Sequence, residues 1–299
     1  MVSARPPWLA AGLCCVALHM TLRAWRWGVL LSPVKKGIPF RSLVSLTLVK
    51  YVINVVPPRL GEVAASVLLA KKERISSASV IAASLFERVL DTLAVLVLFA
   101  LYLVFLADRY VPGTQRGREV FETIRHATVI GLGAMAVAAA ALMLILRSRR
   151  WHDRVPRVIA RHLFSFLDGL RAMQSRSAVV ETILLSLLIW LVISTQLWCL
   201  IRAYLEVFPF AGTLLIVAVT IVGVAIPTPG GIGGFQFFMD LSLIHFFRAY
   251  LTAADPDSQA AGISNGAYVV SMVPVMLVGL VLLQRHRIDG IGGLTASQD

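Results

Sequence analysis

Residues 179–201 read VVETILLSLLIWLVISTQLWCLI, a run of 23 residues with one charged side chain, Glu181. About 20 apolar residues in a helix cross the roughly 30 Å of hydrocarbon in a bilayer. Further apolar runs lie at 8–31, 78–106, 126–146 and 263–283. Only 15 % of the 299 residues are charged, against roughly a quarter in soluble domains. The sequence therefore predicts an all-α, polytopic transmembrane helix bundle. Its first run, "WLAAGLCCVALHM", has the length of a signal-peptide core but no small-x-small cleavage site. It continues into "TLRAWRWGVLL" and is read as a membrane helix, with Arg23, Trp25, Arg26 and Trp27 as interfacial anchors.

The net charge is +12. On a soluble chain that would suggest nucleic acid. Here cytoplasmic loops beside anionic lipid explain it, and no nucleic-acid partner is expected. Cys14, Cys15 and Cys199 sit in apolar runs without metal-ligand spacing, so core packing is expected and no metal or cofactor is.

Arginine placement sets the topology. The basic, partly amphipathic loop at 147–176, "KKER" at 71–74 and "RHR" at 285–287 belong to the cytoplasm. The mixed loop at 107–125 and the acidic turn at 254–259 then lie outside. This gives a multi-pass protein of the plasma membrane with a cytoplasmic C-terminus. Segment 40–71 must enter and leave from the cytoplasm, and segment 210–252 from outside. Both read as re-entrant hairpins, with the breaker-rich tips "PPRLGE" and "PTPGGIGG". A single membrane domain, 1–299, divides into a first half at 1–125, a linking span and basic loop at 126–178, a second half at 179–284 and a tail at 285–299. That is the pattern of an inverted repeat with broken segments meeting near the midplane. The competing reading is two ordinary loops that contain prolines.

Irregular backbone at membrane depth must be buried in protein or line water, because unmet N–H and C=O groups cost several kcal/mol each. Pro57, Pro58 and Gly61 break the chain, and the helix restarting near residue 60 points unpaired N–H groups into the gap. Arg59 adds a planar fork suited to phosphate; Glu62 falls in the first helical turn, where the dipole also favours it. At the second tip Gly230, Gly231, Gly233 and Gly234 allow close approach of a headgroup, and Gln236 can donate or accept. In "FERVLD", Glu87 and Asp91 share a helix face, and Arg88 can neutralise Glu62, Glu87 or Asp91. Such groups are expensive against lipid and should face the interior. They serve either substrate binding or helix packing. Lys50, Asn54, Asp240 and His245 are weaker candidates.

Together "LRAWRWGVLL", "PPRLGEV", "FERVLDTLAVLVL" and "PTPGGIGGFQ" resemble, in order and spacing, the flippase-like integral-membrane family typified by the transmembrane region of lysylphosphatidylglycerol synthases. The resemblance covers about residues 20–284. Pro57 or Pro58, Arg59, Gly61 and Glu62 match its first motif, although Ala65 stands where an arginine is frequent. Glu87, Arg88 and Asp91 match E-R-x-x-D. Pro229, Gly230, Gly231 and Gly233 match P-G-G-x-G, with Gln236 where an acid is common. Members often carry a further helix before "RAWRW", so the expectation is an N-terminus outside or a shortened start. The resemblance implies movement of a polar-headed lipid between leaflets, either an aminoacylated phospholipid or a polyprenyl-linked saccharide. Its substrate would be an anionic lipid or a lipid-linked compound. The alternatives are a membrane-embedded lipid-modifying transferase, with Glu62, Glu87 and Asp91 as its acid/base candidates, or a non-catalytic subunit recruiting a glycosyltransferase or aminoacyl-transferase partner.

Overall fold

The computed structural model describes residues 4–55, 60–105, 176–226 and 228–295, with scattered positions between 115 and 133. Pro57, Pro58 and Arg59, most of the loop at 107–125, most of the predicted span at 126–146 and nearly all of the arginine-rich loop lie outside the described residues.

Every regular element among the described residues is helical. The first half comprises α1 (Pro6–Leu31), α2 (Phe40–Ile53), α3 (Leu60–Glu73) and α4 (Ser77–Phe105). The second comprises α5 (Arg176–Arg202), α6 (Phe210–Ala225), a 3-10 turn at Pro229–Gly231, α7 (Gly234–Phe246), a second turn at Arg248–Tyr250 and α8 (Pro256–Thr295). Prolines set several starts: Pro6 and Pro7 occupy the first turn of α1, while Pro39 and Pro209 stand just before α2 and α6. A proline there loses no hydrogen bond, because the first N–H groups of a helix have no intrahelical acceptor.

Helix length separates two kinds of element. At 1.5 Å per residue, α1, α4 and α5 extend about 39–44 Å, enough to cross a bilayer. Among the described residues α1, α5 and α8 are both long and apolar enough to span; α4 has the length but carries Glu87, Arg88 and Asp91. In contrast, α2, α3, α6 and α7 have 14, 14, 16 and 13 residues. Each reaches only about 20–24 Å, too short to cross alone.

The packing repeats between the halves. α1 lies against α5. The pairs α2–α3, α1–α2, α3–α4, α1–α4, α2–α8 and α1–α8 are matched one for one by α6–α7, α5–α6, α7–α8, α5–α8, α4–α6 and α4–α5. Exchanging α1–α4 for α5–α8 leaves this set of substantial helix contacts unchanged. Two buried apolar clusters follow the same division. One, around Trp27, Leu31, Leu46 and Leu69, joins α1, α2, α3 and α4. The other, around Tyr102, Leu200, Leu215, Met239 and Ile263, joins the second half to α4.

Both short-helix pairs cross so closely that only glycine fits. A Cβ on Gly61 would overlap the Lys50 carbonyl oxygen in α2 and the Asn54 side chain. A Cβ on Gly223 would overlap the backbone of Gly234, and the reverse also holds. Gly61→Ala is therefore expected to destabilise the protein by about 3 kcal/mol, the upper end for overpacking against backbone that cannot yield. Gly262→Ala meets nothing within 4 Å inside α8 and should keep or raise the unfolding temperature in detergent, by up to about 1 kcal/mol of helix propensity.

Candidate functional site

The interior of the first half holds a connected set of charges. From α1 come Arg23 and Arg26, from α2 Lys50, from α3 Glu62, and from α4 Glu87, Arg88 and Asp91. Asp91 is the hub. It receives Arg26 Nη1 at 2.8 Å, Arg23 Nη1 at 3.1 Å and the indole N–H of Trp190 in α5 at 3.2 Å. Arg26 also donates to Ser186 Oγ at 2.9 Å. Glu87 is held more loosely, 3.4 Å from Arg26 Nε and 3.8 Å from Lys50 Nζ. The guanidinium of Arg23 also packs against the Trp190 ring, and the Lys50 ammonium against Trp27.

Burial ranks these contacts. The Arg26 side chain is 0 % exposed and Asp91 7 %, so their bond is screened little by water. Arg88 is 44 % exposed; it pairs with Glu62 and lies 3.7 Å from Asp91. The deep bonds tie α1, α4 and α5 together, while Lys50–Glu87 and Arg88–Glu62 tie the short helices α2 and α3 to α4. Four cations face three carboxylates, a formal excess of one positive charge among the described residues.

Glu87, Arg88 and Asp91 lie together on α4, and Glu62 of α3 joins them through Arg88. Arg23 and Arg26 correct the sequence reading. They are buried partners of Asp91 and Glu87, while Trp25 remains exposed and Trp27 is buried. Their i,i+3 spacing on one helix face was the available signal, because two arginines inside an apolar run need acidic partners. Lys50 belongs to the same set and is 5 % exposed, away from any interface with water.

At the first tip Asn54 Oδ1 accepts the Gly61 N–H at 2.8 Å, satisfying one of the free donors at the start of α3. At the second, Gly230, Gly231 and Gly233 have φ of 63°, 78° and 85°, values that favour glycine. Gln236 Oε1 accepts the Gly233 N–H at 2.8 Å and so caps α7. The Tyr268 hydroxyl donates to the Gly230 carbonyl at 2.8 Å, pinning this turn to α8. Tyr268→Phe should remove about 1 kcal/mol, read as a lower unfolding temperature with the fold retained.

The two turns adjoin. A Cβ on Gly230 would lie 3.9 Å from Val55 Cγ2, and Val55 ends the described part of the first tip. His245 sits in the last turn of α7, and Asp240 midway along it, apart from the charged cluster. Among the described residues no group of three His, Cys, Asp or Glu side chains is placed to hold a metal ion.

No curated protein and no solved structure matches the chain significantly. The family model described as the lysylphosphatidylglycerol synthase TM region, however, matches residues 1–279, nearly the whole chain. The protein therefore belongs to that family, and is a membrane protein related to lipid modification or transport.

Proposed function

We propose that the protein moves a phosphate-containing, polar-headed lipid between leaflets, with the two short-helix pairs acting as re-entrant hairpins of an inverted repeat. The observation that carries this reading is the closeness of the two turns, where a Cβ on Gly230 would come within 3.9 Å of Val55, in a molecule whose first half buries a charged cluster with a positive excess. A transporter of this architecture binds its substrate where broken helices from the two repeats meet. The exchange symmetry of the helix contacts supports the repeat.

The ends of the helices support the sidedness. Lys35 reaches Glu73 at 2.7 Å, so α1 ends and α3 ends at one face, which also carries Lys36, Arg41, Lys71 and Lys72. That basic face is the cytoplasmic one. Trp8 of α1 packs edge-on against Trp198 of α5 at the opposite face, near Phe210, where α6 begins. Both hairpins then turn back inside the membrane, and α8 carries the C-terminus to the cytoplasm.

In this arrangement Arg59 and the remaining free N–H groups of α3 bind the lipid phosphate, and the turn at Gly230–Gly233 accommodates the headgroup. Glu62 and Arg88 hold the first tip against α4. Reconstitution into vesicles with fluorescent phospholipids of different headgroups tests the proposal. The intact protein should accelerate leaflet exchange of phosphate-bearing lipids, and Glu62→Gln should lower that rate while unfolding stays nearly unchanged. Exchange no faster than in empty vesicles for every headgroup would refute it.

A further inference from the structure

Where the start of α1 meets the end of α5, two tryptophans hold an arginine that lacks an acidic partner among the described residues. The Arg202 guanidinium lies 4.9 Å from the centre of the Trp8 ring and 5.7 Å from that of Trp198. The two rings pack edge to face at 5.2 Å, and the Trp198 indole N–H donates to the Phe208 carbonyl at 2.9 Å. The cage is thus fixed in advance, which lowers the entropy cost of binding. Glu206, just beyond the helix, is exposed and makes no ion pair among the described residues. Arg248 on the same face, in contrast, has Asp257 at 3.4 Å.

Two ordinary roles for such an arginine are filled or opposed. The last carbonyls of α5 need donors, but Arg5 supplies them. Its backbone N–H reaches the Ala203 carbonyl at 2.8 Å, and its side chain donates to the carbonyls of Arg202 and Leu205. An interfacial arginine otherwise extends its charge toward water. Arg202 turns the other way: Trp198 stands one helical turn nearer the membrane interior, and the guanidinium lies over its ring. This is also the face opposite the basic end of the bundle, where unpaired cations run against the usual bias.

The donor left over names the ligand. Arg202 Nε is buried without a hydrogen-bond partner, and a buried N–H left unmet is costly. A guanidinium has donors and no acceptor, so an anion answers it, and its planar fork matches the paired oxygens of a phosphate. Ends of spanning helices, marked by tryptophan, lie at the level of lipid headgroups.

We propose that Arg202, caged by Trp8 and Trp198, binds the phosphate of a phospholipid in the outer leaflet, at a site separate from the two turns. A lipid seated there touches both α1 and α5 and so ties one half of the protein to the other. The site stands whether or not the protein moves lipid.

Two readouts on the purified full chain in an uncharged detergent test this. With added phosphatidylglycerol the intact protein should unfold at a higher temperature and retain lipid in native mass spectra. Diacylglycerol, which lacks the phosphate, and inorganic phosphate, which lacks the chains, should do neither. Arg202→Gln should retain one lipid fewer and need about ten-fold more phosphatidylglycerol for the same rise, the loss expected when charge-assisted bonds go. Arg202→Lys keeps the charge without the fork and should lose less. Trp8→Leu, which opens the cage, should weaken retention with the guanidinium still present. Arg248→Gln should leave both readouts unchanged. Equal weakening by Arg248→Gln and Arg202→Gln would mean bulk attraction to anionic lipid and overturn the site. Stabilisation by inorganic phosphate alone would overturn the lipid as occupant. Retention unchanged in Arg202→Gln and Trp8→Leu, with only a lower unfolding temperature, would make the cage a packing device and also overturn it. The titration needs no lipid exchange, so failure of this site and failure of transport are read apart.

Discussion

Arg26→Met is expected to cost about 3–5 kcal/mol of stability, the loss found when one partner of a buried ion pair is removed. The size follows from what stays behind. Asp91 would keep Arg23, the Trp190 indole and Arg88 at 3.7 Å but lose its shortest bond, 2.8 Å, and among the described residues Glu87 would keep only Lys50 at 3.8 Å. Both carboxylates are nearly inaccessible to water, so solvent cannot replace the missing guanidinium. Thermal unfolding in detergent reads the loss. Arg88→Gln is the contrast: its side chain is 44 % exposed, so water compensates and a loss nearer 1 kcal/mol is expected. Equal losses for the two variants would mean that the depth of Arg26 is irrelevant.

Arg59→Ala carries the largest expected effect on function, the loss of lipid exchange in reconstituted vesicles with the unfolding temperature kept. Arg59 precedes Leu60 at the start of α3, where free N–H groups and the helix dipole already favour an anion. A lysine there restores the charge but not the bidentate fork, so Arg59→Lys should restore exchange only in part. Normal exchange by Arg59→Ala would remove the phosphate site from the first tip.

The short helices were legible because Pro57, Pro58 and Gly61 interrupt one apolar segment and the "PTPGGIGG" stretch interrupts the other. Charge placement predicts a single face of entry for each. Glu87 and Asp91 were legible from their shared helix face. Arg23 and Arg26 were misread because arginine beside tryptophan at the end of an apolar run is also the pattern of an interfacial anchor. Only tertiary packing, α1 against α4 and α5, separates the two readings. The correspondence of the halves left no trace in residue identity. It lies in helix order and contact.

The arrangement of the hairpins is tested most directly by labelling single cysteines with a membrane-impermeant maleimide. Cys14, Cys15 and Cys199 are first replaced, and cysteine is then placed at Lys36, Lys72, Val207 or Thr252, all exposed beside the ends of the two short-helix pairs. In intact cells Val207→Cys and Thr252→Cys should label, whereas Lys36→Cys and Lys72→Cys should label only after the membrane is opened. Labelling of Lys36 and Lys72 from opposite sides, or of Val207 and Thr252 from opposite sides, would mean that a short-helix pair crosses the membrane, contradicting two hairpins that meet at their tips.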